Sequence, residues 1–298
     1  MHGILRLLKS SRNGFLKKNK PTVDKRTAVL LNVVSQAAQA LKIKWMVTGA
    51  AGRMMLLEGV YGLPHGRATH DVDLGVMVAN WSQYQRLVAQ ICKNADCVSD
   101  PKQRQRLSFR KDGILDLIPF GGIESKDRTI RWPPKNDFVM SVMGFREAYE
   151  DAVPVEVEGI VVPVVSPVGL MLLKLVAWAE RRYSQPRKDA ADMAYILSHF
   201  SEVLTKEVLF DQHLAELEAE SYDIDLAASR ILGQRMAAMT GKDTQQFLCD
   251  LLNRELQEAS DAVLVRDVAA NMGAKGEERT YQLLERLKTG FEGGVKAL

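Results

Sequence analysis

The stretch HDVDLGVMV, residues 70–78, decides the fold prediction because it alternates polar and apolar residues as a β-strand does. Its valines and its leucine fall on one face, and Asp71, Asp73 and Gly75 fall on the other. Two carboxylates therefore point the same way, ~6.6 Å apart along the backbone. Taken alone, the pair fits a solvent-facing strand end as well as it fits a functional site.

The segments before this strand predict a helix, a strand and a small-residue turn. Residues 26–41 space their apolar side chains as a helix does, and residues 43–47 (IKWMV) are short and β-prone. A turn of small residues follows at 48–52 (TGAAG), and residues 53–62 are again helical. Such a turn lets backbone amides approach a phosphate, although an ordinary strand-to-helix turn has the same composition.

The segments after the strand predict further strands and then only helices. Residues 106–120 (RLSFRKDGILDLIPF) predict two strands joined at Lys111-Asp112-Gly113, with Asp116 in the second strand. Residues 153–165 predict another hairpin, and every segment from 166 onward is helix-like. The sequence therefore predicts an α+β (α/β) fold, in which a mixed β-sheet flanked by helices is followed by a C-terminal α-helical domain.

We expect three regions along the chain: a basic leader over residues 1–25, a core over 26–165 and a helical domain over 166–298. Up to Arg26 the chain carries eight lysines and arginines against a single acid, Asp24. That composition is typical of an RNA-contacting arm, of a transit peptide and of a plain solvated leader.

The composition of the 298-residue chain is that of a globular protein, with 46% apolar residues, 26% charged residues and a net charge of +3. Its three cysteines form no CxxC pair, so neither a disulfide framework nor a zinc site is expected, and a reducing cytoplasm fits. The most apolar stretch, residues 159–179, is interrupted by prolines and by Lys174, so we expect no membrane span.

The acid pair and Asp116 are suited to hold hard cations. Two Mg²⁺ or Mn²⁺ ions about 3.5–4 Å apart, bridged by shared carboxylates, can bind a triphosphate, activate an attacking hydroxyl and stabilise the leaving pyrophosphate. Such a site usually recruits a third carboxylate from a neighbouring strand. Asp116 is the candidate for that position.

Five segments between residues 42 and 200 occur in an order that points to one family. They are VTGAAGRMMLLEG (47–59), RATHDVDLGV (67–76), LDLIPFGGIE (115–124), SPVGLMLLKLVAWAERR (166–182) and RKDAADMAYIL (187–197). In this order they resemble the DNA polymerase β-like nucleotidyltransferase superfamily, and within it the AbiEii/AbiGii toxin-like nucleotidyltransferases. The resemblance implies a nucleotidyltransferase core.

The resemblance also implies roles for individual residues. Asp71, Asp73 and Asp116 would be the metal ligands, with Asp116 also a candidate base for the acceptor hydroxyl. Lys174 would pair with the phosphates of the nucleotide, and Asp189 would approach the site.

The residues themselves leave alternatives open for Lys174 and Asp189. Lys174 could reach solvent past its apolar neighbours, and Asp189 and Asp192, three apart on one helix face, could form a structural network with Arg181 or Lys188.

The turn and the residues before the acid strand supply further candidates for nucleotide binding, namely Thr48, Gly49, Ala50, Arg53, Arg67 and Thr69. The usual turn of the superfamily is Gly-Ser or Gly-Gly, with the serine hydroxyl on a phosphate, whereas this chain has Gly49-Ala50. Thr48 or the backbone amides would then replace that hydroxyl.

The function implied by the resemblance is transfer of NMP from an NTP such as ATP to an acceptor hydroxyl of RNA, particularly a tRNA 3′ end, or of protein. The enzyme would be a toxin checked by a cognate antitoxin. Two alternatives stay open at this point: a small-molecule acceptor of the aminoglycoside type, and a non-catalytic module that binds RNA or a partner.

Overall fold

A computed structural model describes residues 23–67, 69, 71–95, 97–100, 102–109, 113–184, 186–257 and 262–297. The predicted basic leader up to residue 22 and the predicted turn residues Lys111-Asp112 lie outside these ranges. The described residues divide between Ser166 and Pro167 into a first unit and a second unit.

The first unit is built on a mixed sheet whose middle strand carries the acid pair. The strands, in chain order, are β1 (Lys44–Thr48), β2 (Asp71–Val78), β3 (Cys97–Ser99), β4 (Arg106–Phe109), β5 (Gly113–Gly121), β6 (Thr129–Arg131), β7 (Val139–Ser141), β8 (Val153–Val157) and β9 (Ile160–Val164). Within the described residues β6 and β7 form a separate ribbon, and the others form one sheet in the order β3-β4-β5-β2-β1-β9-β8. β2 runs parallel to β5, and β1 parallel to β9, whereas the other neighbours are antiparallel.

The helices of the first unit are α1 (Lys25–Ala40), α2 (Gly49–Arg53), which continues as the π-helix Met54–Val60, α3 (Trp81–Ala95) and α4 (Phe145–Glu150). α1 begins where the Asp24 carboxylate accepts hydrogen bonds from the amides of Arg26 and Thr27. The helix predicted to begin at residue 53 begins at Gly49, so the small-residue turn is itself the first turn of the helix. The sequence does not predict β3, β6, β7 or α4, because segments this short carry too little periodicity.

The two faces of β2 are covered differently. Its apolar face is buried in the core. On the acid face, the Phe145 ring of α4 packs on Phe120, with ring centroids 5.7 Å apart, and a Cβ at Gly75 would lie 3.0 Å from Phe145. This aromatic layer covers the C-terminal half of the acid face. Asp71 and Asp73, at the N-terminal end of the strand, are only partly buried.

The extended elements of the second unit, within the residues that the structure describes, are helices. Its elements are α5 (Pro167–Arg181), α6 (Pro186–Val203), the π-helix Val208–Gln212, α7 (Leu214–Ala219), α8 (Ile224–Met239), α9 (Lys242–Leu256), α10 (Val263–Ala269), the 3₁₀ turn Gly273–Lys275 and α11 (Gly276–Ala297). The predicted fold class, a mixed sheet with flanking helices followed by a helical region, is therefore confirmed. Over the described ranges, every helix is too short or too polar to cross a membrane.

Helices α8 and α11 pack backbone against backbone because a glycine of each helix lies at their crossing. A Cβ at Gly233 would lie 2.0 Å from the Leu287 carbonyl oxygen, and one at Gly290 would lie 2.0 Å from the Arg230 carbonyl oxygen. A side chain at either position would have to push the two helices apart.

We therefore predict that Gly290→Ala lowers the free energy of unfolding by about 2–3 kcal/mol. The overpacking penalty exceeds the ~1 kcal/mol that alanine adds in helix propensity. Gly293→Ala, on the same helix but facing open space, is the matched control and should stabilise the protein slightly. Urea denaturation measures both, and a gain in stability for both variants would contradict the close crossing.

Candidate active site

Four neighbouring strands bring one row of side chains across the acid face of the sheet. Asp73 of β2 lies opposite Thr48 of β1 on one side and opposite Asp116 of β5 on the other. Asp116 in turn lies opposite Arg106 of β4. Residues directly opposite on adjacent strands share a face, and Asp71, two residues before Asp73, shares it as well. The structure thus places the three predicted carboxylates on one face of the sheet.

Arg106 forms a two-bond fork with Asp116. Its Nε and Nη2 donate to the two carboxylate oxygens at 2.9 and 2.7 Å, and the same Nη2 lies 3.8 Å from Asp71 Oδ2. The hydrogen bonds donated to Asp116 raise the pKa of the Arg106 guanidinium above its ordinary value, and the charges of Asp116, Asp71 and Asp73 raise it further. A permanent cation therefore lies among the three acids.

Arg106 is not among the residues that the sequence singles out. The predicted turn, Lys111-Asp112-Gly113, has Asp112 at its centre and would pair Arg106 with Ile118. The observed register pairs Arg106 with Asp116, and Gly113 already belongs to β5. The sequence therefore predicts that the two strands are neighbours, but the predicted turn does not give the partner of Asp116.

Gly49 is required where it stands for two physical reasons. Its backbone has a φ of 62°, in the left-handed region, and a Cβ built there would lie 2.0 Å from Asp73 Oδ2. The Asp73 carboxylate therefore packs directly against the Cα of Gly49. No side chain fits at this position while that carboxylate keeps its place.

Thr48 and Ala50 flank this glycine and are both 4% exposed. Thr48 ends β1 and is the N-cap residue of α2, but its side chain makes no capping hydrogen bond. Its side chain shares the row that contains Asp73. Ala50 brings no hydroxyl to the start of α2, so Thr48 is the hydroxyl-bearing residue at this turn.

The segment that leads into β2 is hydrogen-bonded through the Arg67 carbonyl oxygen, which accepts from Arg53, and through Thr69 Oγ1. The Arg53 guanidinium is buried, forms an ion pair with Glu58 and donates to the Arg67 carbonyl oxygen at 2.5 Å. Thr69 Oγ1 accepts a hydrogen bond from the Asp71 amide at 3.2 Å, whereas the Arg67 side chain is exposed. The buried Arg53 cation thus has a carboxylate partner within the protein, and its predicted contact with phosphate stays a prediction.

A cavity of about 350 Å³ lies beside the acid strand. Asp71 and Thr69 line it together with Leu30, Met55 and Phe109. Its volume is within the range of small-ligand pockets. It offers room for an organic group next to Asp71.

Lys174 and Asp189 lie in the second unit, where they form an ion cluster with Asp192 and with Arg181, whose side chain is 44% exposed. Lys174 Nζ is 3.3 Å from Asp189 Oδ1 and 2.7 Å from Asp192 Oδ2. Arg181 donates to both carboxylate oxygens of Asp189. The side chains of Asp189 and Asp192 are 1% and 2% exposed. This geometry is the network with Arg181 that the sequence left as an alternative for Asp189.

The acids of the first unit suit a hard divalent cation by chemistry, since carboxylate oxygens are the ligands that Mg²⁺ and Mn²⁺ prefer. Within the part of the chain that the structure describes, however, no group of three Asp, Glu, His or Cys side chains is already arranged to hold a metal ion. Both oxygens of Asp116 accept hydrogen bonds from Arg106. The donor set fits the ion, and Asp116 would have to exchange its partner to bind it.

Comparison with known families identifies the family of the chain. The model of the family described as nucleotidyl transferase AbiEii toxin, type IV toxin-antitoxin system, matches residues 37–266. The chain is therefore a nucleotidyltransferase. It belongs to the AbiEii nucleotidyl transferase toxin family, which confirms the resemblance predicted from the sequence.

Solved structures give only distant likenesses. The antibiotic-resistance factor ANT(2″)-Ia in solution is 15% identical, with a TM-score of 0.37, and the match covers 67% of this chain and 99% of that one. A crystal structure of ANT(2″)-Ia with adenylyl-2″-tobramycin is 14% identical over 68% and 96% of the two chains, with a TM-score of 0.38. An antigenic nucleotidyltransferase-like protein from Paracoccidioides brasiliensis is 20% identical over 67% and 92%, with a TM-score of 0.37. No curated protein matches the chain.

We predict that Gly49→Ala abolishes nucleotidyl transfer, because the added methyl group displaces the Asp73 carboxylate. Gly159→Ala is the matched control, since Gly159 also has a positive φ, 82°, but a Cβ there meets nothing within 4 Å. Both variants share a backbone strain of ~1–2 kcal/mol, and Gly49→Ala should lose further stability because its methyl group overlaps the Asp73 side chain. Equal activity of the two variants would contradict the role of the glycine contact.

We predict that Lys174→Met lowers the free energy of unfolding by about 3 kcal/mol, because it removes a cation from a buried ion cluster. Lys288→Met is the control, since Lys288 Nζ lies 3.9 Å from Glu292 in a more exposed pair that contributes about 0–1 kcal/mol. Chemical denaturation compares the two. Equally small losses would mean that the Lys174 cluster does not stabilise the fold.

Proposed function

We propose that this nucleotidyltransferase is metal-dependent and transfers the NMP of an NTP to a hydroxyl of RNA, with Asp71, Asp73 and Asp116 as the metal ligands. The observation that carries the proposal is the register of the sheet, which sets Asp73 directly opposite Asp116 on adjacent parallel strands. Asp71 follows on the same face. Three acids that share one half of a sheet face match the needs of a divalent cation.

In the reaction, the oxygen of the acceptor hydroxyl forms a bond to the α-phosphorus, the bond from that phosphorus to the bridging oxygen breaks, and pyrophosphate leaves. The metal ions would supply Lewis acidity to the phosphate oxygens and lower the pKa of the attacking hydroxyl. Asp116 is proposed as the group that takes the hydroxyl proton. Because Gly49 has no side chain, the Asp73 carboxylate can lie against the start of α2. The backbone amides there and Thr48 are proposed to contact the phosphates.

Lys174 is proposed to neutralise phosphate charge, a role that rests on the family resemblance. Asp189 and Asp192 hold its ammonium group at 3.3 and 2.7 Å and so fix its direction. The role of Asp189 in the proposal is therefore to orient Lys174 and not to contact nucleotide.

RNA is favoured as the acceptor by the loop between α5 and α6. The cations Arg181, Arg182, Arg187 and Lys188 lie within five residues of Tyr183 in the sequence, and Tyr183 is 89% exposed. The Arg182 guanidinium lies 4.8 Å from the centre of that ring. An exposed aromatic ring among cations is suited to stack a base beside a phosphate backbone. We propose that the protein acts in the cytoplasm as the toxin of a pair with a cognate antitoxin, as the family description suggests.

The test uses each α-labelled NTP in turn with Mg²⁺ or Mn²⁺ and total RNA. We expect one NTP to label RNA, with the label lost on chelation and reduced at least about a hundredfold in Asp71→Asn. Asp137→Asn is the control for charge, because Asp137 is an exposed carboxylate paired with Arg104. It should retain full activity.

Other outcomes redirect or overturn the proposal. Label that appears in protein instead of RNA would mean that protein is the acceptor. Transfer that survives both chelation and Asp71→Asn would overturn the metal site. In growing bacteria, the wild-type protein should arrest growth and Asp71→Asn should not. Arrest by the variant would separate toxicity from the proposed chemistry.

A further inference from the structure

Arg106 occupies the oxygens that a metal ion would need. Its fork uses both carboxylate oxygens of Asp116, at 2.9 and 2.7 Å, and its Nη2 reaches to 3.8 Å from Asp71. Two of the three proposed ligands therefore already face a cation. Asp116 is 7% exposed, so little solvent is available to screen a second cation brought to the same carboxylate.

The chemistry of the two cations makes them competitors. A guanidinium carries a delocalised charge in a planar fork that matches a carboxylate, and it does not lose its proton. A divalent ion needs the same lone pairs at a shorter distance and repels the guanidinium. Arg106 cannot therefore leave the carboxylate by becoming neutral, and can only move away.

We propose that Arg106 is a competing cation for the acid site: a divalent metal loads Asp116 by displacing the guanidinium, so that Arg106 sets the metal concentration at which the site fills. The inference rests on the proposed function, because it takes Asp71, Asp73 and Asp116 as metal ligands. Arg106 is in this sense a positioning residue, acting through Asp116. It weakens metal binding by the enzyme and holds the acids in place by the same contacts.

A second arginine of the chain provides a matched comparison. Arg279 forms the same kind of fork on Asp223, with donor distances of 2.8 and 2.7 Å, at the first turn of α8 in the second unit. Asp223 accepts the Leu226 amide there and has a capping role. Removing either arginine takes away one positive charge and one carboxylate fork, but only Arg106 faces the proposed metal ligands.

The experiment titrates full-length protein with Mn²⁺ and measures free Mn²⁺ by electron paramagnetic resonance, with no nucleotide and no turnover. We expect Arg106→Gln to bind Mn²⁺ about tenfold more tightly than wild type, since a charge-assisted fork no longer competes. Arg279→Gln should bind as wild type does. Arg106→Lys keeps the charge without the fork and should fall between wild type and Arg106→Gln.

Circular dichroism and thermal unfolding first establish that each variant is folded, and Arg106→Lys carries the test if Arg106→Gln does not fold. Mn²⁺ binding by Arg106→Gln and Arg106→Lys that equals or is weaker than that of wild type would overturn the inference. In that case the metal site itself still stands, provided that Asp71→Asn weakens Mn²⁺ binding. If neither wild type nor any variant binds Mn²⁺, the metal site of the proposed function fails, and the inference fails with it.

Discussion

The contact between the Gly49 backbone and the Asp73 carboxylate is the constraint on which the site depends. It ties the end of β1 and the start of α2 to the N-terminal end of β2 at a distance that admits no side chain. The register then places Thr48, Asp73, Asp116 and Arg106 in one row across four strands. A slip of one residue in β2 would send its carboxylates into the apolar core, so core burial and site geometry enforce the same register.

The parts of this arrangement that the sequence predicts are those set by local patterns. The period-two alternation of β2 gives the face shared by Asp71 and Asp73, and the Asp-Gly turn after Lys111 gives the strand that carries Asp116. The short elements β3, β6, β7 and α4 escape such prediction because their three to six residues depend on tertiary contacts, as α4 does on its packing against Phe120. The start of α2 is missed for a related reason, since small residues fit a turn and a helix equally well.

The partner of a charged side chain is harder to predict than the strand face on which a residue lies, because charge pairing depends on distance in space and not on local sequence. An arginine just inside a helix after a small-residue turn, such as Arg53, is a candidate phosphate ligand. In the structure its guanidinium forms an ion pair with Glu58 and donates to the Arg67 carbonyl oxygen. Lys174 and Asp189 belong to two of the family segments. The sequence left a network of Asp189 and Asp192 with Arg181 open, but only the structure joins Lys174 to it in one cluster. In both cases a charged candidate residue has a partner inside the protein that offsets the cost of burial.

Strand geometry also explains why the acids can cooperate at all. Neighbouring strands lie about 4.8 Å apart, so Asp73 and Asp116 begin close enough for both carboxylates to reach one ion between them, while Asp71 comes in from ~6.6 Å along the strand. Rigid strands hold such positions better than loops do. The same spacing lets one guanidinium reach both Asp116 and Asp71. Any fold that gathers carboxylates tightly enough for a divalent cation also gathers them tightly enough for an arginine on the next strand, and in this protein the register of β4 puts one there.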